Sequence, residues 1–110
     1  MSQTVDEGKG CAILAYLIVG IIWFFADKKM KKNTFAKFHT KQAIIFIIFL
    51  LIVNIAVALF SMISDGFGQV LGYVVYTAMT ILWILAIIYA AAGKEKEIPV
   101  IGTLAKELDF

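Results

Sequence analysis

The sequence contains no arginine, and it has only one cysteine, one histidine and one proline. A single cysteine cannot form an intramolecular disulfide, and Cys11 with His39 cannot complete the ligand set of a zinc site. Charged residues are also scarce, at 16% of the chain, and the net charge is only +2. This composition excludes a soluble enzyme domain, a disordered chain and a free nucleic-acid binder, so no nucleic-acid partner is expected.

Asp, Glu, Lys, Arg and His are absent from three long apolar runs, at residues 10–26, 43–63 and 70–92. As helices rising about 1.5 Å per residue, the second and third runs are long enough to cross roughly 30 Å of hydrocarbon, and the first is near the lower limit. Helix is the form expected in lipid, because it satisfies the backbone hydrogen bonds within one segment. The sequence therefore predicts an all-α integral membrane protein, a three-helix bundle that forms one domain over residues 1–110.

The lysines are gathered in two of the segments outside these runs. The connection 27–42 holds six lysines and the tail 93–110 holds three, whereas the opposite side of a three-span protein would hold only Lys9. Because lysines near span ends favour the cytoplasmic side, this pattern predicts a multi-pass protein of the cell membrane. Its amino terminus is expected outside the cell and its carboxyl terminus in the cytoplasm.

A cluster of lysines occupies the first half of the connection, at Lys28, Lys29, Lys31 and Lys32. One interpretation is that these residues only fix the orientation of the chain. The other is that they contact anionic lipid headgroups at the cytoplasmic face, which would contribute about 1 kcal/mol per lysine. A lipid-surface sensor is therefore one of the functions that stay open.

The tail after the third run predicts a short amphipathic helix. Gly93 is a natural helix stop, and Pro99 is suited to the first position of a new helix. The apolar residues that would share one face of this helix are Ile98, Ile101, Leu104, Ala105 and Leu108. Such a helix, tethered to a span, is expected to lie in the cytoplasmic interface of the membrane.

Asn54 stands near the middle of the second run, where an amide needs a hydrogen-bond partner. Hydrogen bonds between helices in membranes contribute about 0.6 to 2 kcal/mol. Thr77 or Thr80 in the third run would supply a partner within the monomer. A second copy of Asn54 would supply one in a homodimer.

Catalytic groups do not come together anywhere in the sequence. Ser61 and Ser64 lie at the far end of the second run from His39, so neither has a base at its own depth. Ion-coupled transporters usually place an ionisable residue inside the membrane, and these runs hold none. We therefore expect neither an enzyme nor a cofactor.

Two short motifs outside the runs point to a known family. The sequence FHTKQA leads into the second run, and IPVIGTLA follows the third. The motif positions are Phe38, His39, Gln42, Pro99, Ile101 and Gly102. With this order and spacing, the chain resembles a widespread family of small prokaryotic membrane proteins of unknown function. That family is distantly related to the twenty-kilodalton component of the chloroplast inner-envelope protein translocon (Tic).

The resemblance implies a compact helical membrane domain without catalytic residues, and a link to protein translocation. The chloroplast proteins have four spans, one more than the three predicted here. We expect the two motifs to dock on each other at the cytoplasmic interface. For His39 this favours packing or a hydrogen bond to a tail carbonyl, while a proton relay or a ligand role stays open.

These features favour a non-enzymatic interaction or scaffold subunit of a membrane complex. Its expected partners are the lipid bilayer and either another membrane protein or further copies of the same chain. The alternative is a self-assembling pore former similar to a phage holin, because a short three-span chain with an external amino terminus is also typical of holins.

Overall fold

The computed structural model describes residues 3–108, and this part of the chain contains helices and no strand. The five α-helices are α1 (Gln3–Ala15), α2 (Val19–Ala26), α3 (Lys28–Lys31), α4 (Thr34–Ile63) and α5 (Asp65–Ala91). A 3₁₀ helix, Gly102–Glu107, follows them. The predicted all-α class is thus confirmed for these residues, and the molecule is elongated, with dimensions of 52 × 23 × 22 Å.

The helices α4 and α5 form a long antiparallel hairpin. Asn33 caps α4, because its side-chain oxygen accepts a hydrogen bond from the Ala36 backbone N–H at 2.9 Å. Residues 64–69, between the second and third apolar runs, do not form a loop. Ser64 alone makes the turn, and its hydroxyl oxygen caps α5 by accepting from the Phe67 N–H at 3.3 Å. Gly68 faces Ser61 so closely that any side chain would clash with it.

Both helices of the hairpin are long and apolar enough to cross a membrane. In the most apolar window of each helix, only 17% of the residues are buried inside the protein. The core helix of a soluble protein would bury its apolar side chains, whereas a lipid-facing helix exposes them. These two helices are therefore the candidate membrane spans.

The first apolar run does not form one helix, so the predicted span at residues 10–26 is wrong. The run breaks after Ala15, and Ile18 takes a left-handed backbone conformation with φ of 73°. The chain then reverses, and α2 packs antiparallel on α1, with the Cys11 thiol donating to the Gly20 carbonyl oxygen at 3.4 Å. At about 1.5 Å per residue, the eight residues of α2 cover roughly 12 Å and cannot cross a bilayer.

This reversal places both ends of the described chain at the same end of the molecule. Asn33 donates from its side-chain amide to the Thr4 carbonyl oxygen at 2.8 Å, and Lys29 lies 3.8 Å from the Glu7 carboxylate. The segment after α5 contacts the beginning of α4 at the same end. We call this the lysine-rich end: residues 4–9, 27–42 and 94–108. The expected placement of the two chain ends on opposite sides does not fit this arrangement.

The tail packs on the protein instead of forming a free interfacial helix. Ile98, Ile101 and Ala105 are 1 to 3% exposed and belong to the main apolar core. The predicted helix beginning at Pro99 is replaced by a 3₁₀ helix that begins at Gly102. Three of the five residues expected on the apolar face are thus covered by protein, whereas Leu104 is 47% exposed.

Candidate functional site

Buried polar side chains concentrate in the first turns of α4, at the lysine-rich end. His39 is 0% exposed and Gln42 is 1% exposed. A polar group removed from water is costly unless it is hydrogen-bonded, so each of these side chains needs partners. The partners come from Tyr16 at the end of α1 and from the tail. We call this set the polar clasp: Tyr16, His39, Gln42 and the tail backbone that they bind.

His39 links the end of α1 to the tail. Its Nε2 lies 2.7 Å from the Lys94 carbonyl oxygen, which can only accept, so Nε2 donates. In the neutral ring Nδ1 is then an acceptor, and it accepts a hydrogen bond from the Tyr16 hydroxyl group, with 2.7 Å between the oxygen and Nδ1. The rings of Phe35 and Phe38 pack edge-on against the imidazole, at 4.8 and 5.1 Å between centroids. Both ring nitrogens therefore have structural partners.

Gln42 fastens the tail at two backbone points. Its amide nitrogen donates to the Gly102 carbonyl oxygen at 2.9 Å, and its side-chain oxygen accepts from the Ile98 N–H at 3.0 Å. A side chain at residue 102 would come within 2.5 Å of the Gln42 oxygen, which explains the glycine there. The structure thus brings Gln42, Ile101 and Gly102 together, whereas Pro99 lies exposed beside them.

The clasp also holds the tip of the α1–α2 hairpin against α5. The indole N–H of Trp83 donates to the Tyr16 carbonyl oxygen at 2.8 Å. Tyr16 therefore touches α4 through its hydroxyl group and α5 through its backbone. Four parts of the chain, α1, α4, α5 and the tail, meet at one buried polar cluster.

The lysine cluster lies on the surface of the lysine-rich end. Lys28, Lys29, Lys31 and Lys32 are exposed, while Met30 between them is 4% exposed and anchors α3. Asp27 caps this short helix. The Trp23 indole N–H donates to its carboxylate at 3.1 Å, and the Lys29 backbone N–H donates at 2.9 Å. These bonds lower the pKa of Asp27, the Trp23 bond having the larger effect.

Inside the apolar region, Asn54 pairs with a residue that the sequence analysis did not propose. Its side-chain oxygen accepts a short hydrogen bond from the Tyr76 hydroxyl group, and its nitrogen donates to the Leu50 carbonyl oxygen at 2.9 Å. The expected pairing with Thr77 or Thr80 is wrong within the monomer. The Thr80 hydroxyl donates to the Tyr76 carbonyl oxygen of its own helix at 2.8 Å. A tyrosine is long enough to reach the neighbouring helix, whereas a threonine hydroxyl stays close to its own backbone.

Asn54 belongs to a row of polar groups on the exposed surface of the α4–α5 hairpin. We define this polar stripe as Gln69, Tyr73, Tyr76, Thr80 and Asn54. The four α5 members are spaced by four, three and four residues, so they share one helix face, and all of them are exposed. Gln69 donates to the Tyr73 hydroxyl oxygen at 3.2 Å. This spacing was visible in the sequence, but it was hidden among apolar residues.

Comparison with known proteins agrees with this picture of a small helical membrane protein. Residues 7–105 match a family described as the magnetosome magnetite crystal formation protein family. A UPF0132 membrane protein of Methanocaldococcus jannaschii is 33% identical over 101 residues, which cover 92% of this chain and 84% of that protein. No solved structure matches the chain. The resemblance to a small prokaryotic membrane protein family is confirmed, whereas kinship with the chloroplast translocon component stays a prediction.

Proposed function

We propose that this chain, which belongs to the magnetosome magnetite crystal formation protein family, is a non-enzymatic interaction subunit of a membrane complex. The observation behind the proposal is the polar stripe, whose exposed groups extend from Gln69 near the start of α5 to Thr80 near its middle. Exposed hydrogen-bonding groups are disfavoured in hydrocarbon and are typical of surfaces where another helix packs. The partner would be the membrane-spanning helix of another protein in the same bilayer.

The polar clasp supports this role because it immobilises the lysine-rich end. The tail, the α1–α2 hairpin and the start of α4 are tied together by buried hydrogen bonds. A rigid base of this kind presents the α4–α5 hairpin in one orientation, which lowers the entropy cost of binding a partner.

The family description refers to magnetite crystal formation. Within residues 3–108, no group of three or more His, Cys, Asp or Glu residues could hold a metal ion. Our proposal therefore gives the chain a part in assembling a membrane complex and assigns it no metal ligand. The link to protein translocation stays a separate hypothesis. The holin-like pore former stays the alternative; it assumed three spans, whereas the described residues contain two candidate membrane spans.

If a partner binds at the polar stripe, Asn54→Leu should abolish co-purification of that partner with the chain. We would tag the full chain at its carboxyl terminus in its native host, extract it in mild detergent and identify stoichiometric partners by mass spectrometry. The matched control is Ile55→Leu, at the neighbouring position, where the side chain is 62% exposed. Wild type and the control should retain the partner, and Asn54→Leu should lose it. Recovery of wild type without a stoichiometric partner would contradict the proposal, as would retention by Asn54→Leu.

The fold also gives a new prediction for membrane orientation. All ten lysines lie at the lysine-rich end. Because α1 and α2 form a hairpin, Lys9 lies on the same side as the connection and the tail. Because lysines near span ends favour the cytoplasmic side, we expect both ends of the described chain to face the cytoplasm. The turn at Ser64 is expected outside, and α1–α2 enters the membrane only part of the way.

Labelling of single cysteines tests this orientation. In intact cells, a membrane-impermeant maleimide should label Asp65→Cys, and it should label Asp6→Cys and Lys96→Cys only after permeabilisation. Wild type is the control, since Cys11 is fully buried. Labelling of Asp6→Cys in intact cells would contradict this orientation and would indicate an external amino terminus.

A further inference from the structure

A groove between α4 and α5 lies next to the Ser64 turn, and its volume is about 470 Å³. Its polar lining residues are Ser61, Asp65, Gln69, Tyr73 and Tyr76. The last three belong to the polar stripe. We propose that the partner helix lies in this groove and carries a lysine or arginine residue opposite Asp65. This inference rests on the proposed function, to which it adds the chemistry of the partner.

Asp65 is the only charged residue in this part of the chain. Between Gln42 and Lys94, the sequence holds no other Asp, Glu, Lys, Arg or His residue. All ten lysines lie at the lysine-rich end, which is about 30 Å away along α4 at roughly 1.5 Å per residue. No lysine of this chain therefore reaches the Asp65 carboxylate, and a cation that pairs with it has to come from a partner.

The depth of Asp65 suits a contact with the end of another membrane span. Asp65 comes five residues before the third apolar run, which begins at Val70, and this is about 7 to 8 Å along a helix. The headgroup region adds roughly 5 to 8 Å on each side of the hydrocarbon core. A basic residue at the end of a partner's span reaches this level, because long basic side chains extend toward the headgroups.

The rest of the same face leaves less room for a partner. A second cavity, of about 270 Å³, continues along this face, and Tyr76 lines both cavities. Tyr16 and Ile18, at the turn between α1 and α2, also line the second cavity. The α1–α2 hairpin therefore borders this part of the face. A partner helix has to make most of its contacts between Tyr76 and Asp65, a stretch of about 17 Å along α5.

The charge of Asp65 distinguishes a different protein from a second copy of this chain. In a symmetric dimer, each Asp65 would lie at the same depth as its copy, and like charges that face each other across an interface repel. A partner with a basic residue brings the opposite charge to this place. Its charge-assisted hydrogen bond to the carboxylate would add to hydrogen bonds with Gln69 and Tyr73.

Charge substitutions at Asp65 test the inference, with the full chain tagged in its native host and its stoichiometric partner quantified by mass spectrometry. Asp65→Asn should lower the recovered partner about two- to fivefold, because ion pairs near the surface are weak. Asp65→Lys should lower it at least tenfold through repulsion. Asp65→Glu keeps the charge and should stay within about twofold of wild type. The matched control is Asp6→Lys, at an exposed position of the lysine-rich end, which should retain the partner.

A substitution of Gly72 tests the groove without changing a charge. A Cβ atom at residue 72 would lie 3.6 Å from side-chain atoms of Val57 and Tyr76, which is an ordinary contact. Leucine also favours helix over glycine. Gly72→Leu should therefore keep the melting temperature of wild type but fill the groove, and the recovered partner should fall at least tenfold.

A charge exchange completes the test. Replacing the partner's basic residue by glutamate should restore binding to Asp65→Lys and weaken binding to wild type. Retention of the partner by Asp65→Lys, or a partner without a basic residue at this depth, would overturn the inference. The proposed function would still stand if Asn54→Leu lost the partner. Recovery of wild type without any stoichiometric partner would overturn both. Phosphatidylethanolamine that Asp65→Asn loses while it keeps the partner would assign the groove to a lipid ammonium group instead.

Discussion

Replacing Gly20 by alanine is expected to separate α2 from α1. A Cβ atom at residue 20 would lie 2.1 Å from the Ala15 backbone nitrogen and 2.4 Å from the Cys11 carbonyl oxygen. These are backbone atoms, so the clash cannot be relieved by rotating a side chain. Overpacking of a tight site costs about 1 to 3 kcal/mol even when side chains yield, and here we expect at least the upper figure.

The thiol of Cys11 reports this change directly. It is fully buried and donates to the Gly20 carbonyl oxygen, so wild type should react slowly with a maleimide in detergent. Gly20→Ala should raise the labelling rate at least tenfold and lower the melting temperature by several degrees.

Gly66→Ala is the matched control for this substitution. No atom lies within 4 Å of the added methyl group, and alanine is favoured over glycine in helices by about 1 kcal/mol. This variant should be as stable as wild type or slightly more stable. A wild-type labelling rate in Gly20→Ala would show that α1 and α2 do not pack as described here.

The first apolar run shows why the sequence could not predict the number of spans. Its seventeen uncharged residues would measure about 25 Å as a helix, which is marginal for crossing the membrane and also suits a folded hairpin. The choice depends on the close approach of Gly20 to Cys11, a tertiary contact between two short helices. Hydropathy counts apolar residues, and it does not detect such a contact.

The second and third runs were predictable because each is long and free of charge, and a single helix covers each of them, apart from Ala92 at the C-cap of α5. The contact between the two motifs was expected from a family resemblance. The atoms that form this contact were not expected, because the Ile98 N–H and the Gly102 carbonyl group belong to the backbone.

The polar stripe was missed for a different reason. Tyrosine has a large apolar ring, so Tyr73 and Tyr76 do not interrupt an apolar run. Their hydroxyl groups become informative only when the helix face is known, and Tyr76 reaches Asn54 across the α4–α5 hairpin. Sequence patterns within one helix cannot show which groups a neighbouring helix provides.

Gln42→Leu is expected to release the tail from α4. The leucine side chain fills a similar volume but leaves the Ile98 N–H and the Gly102 carbonyl oxygen without their partners. Each buried group that loses its partner costs about 1 to 3 kcal/mol, so the total is roughly 2 to 6 kcal/mol. Burial of Ile98, Ile101 and Ala105 then has to hold the tail without these two bonds.

Hydrogen exchange of residues 94–108 measures this release. We expect the protected amides of the tail to exchange at least tenfold faster in Gln42→Leu than in wild type, while the α5 amides keep their rates. Gln69→Leu is the matched control, since the same change removes only an exposed hydrogen bond to Tyr73. Unchanged exchange in Gln42→Leu would mean that apolar packing alone holds the tail.

A second substitution distinguishes between the two hydrogen bonds of the Gln42 side chain. Glutamate at this position keeps an oxygen for the Ile98 N–H but places another oxygen against the Gly102 carbonyl group, so Gln42→Glu should also release the tail. Faster exchange of residues 94–108 in Gln42→Glu would show that the hydrogen bond to the Gly102 carbonyl oxygen is needed to hold the tail, whereas a wild-type rate would show that the bond from the Ile98 N–H is enough.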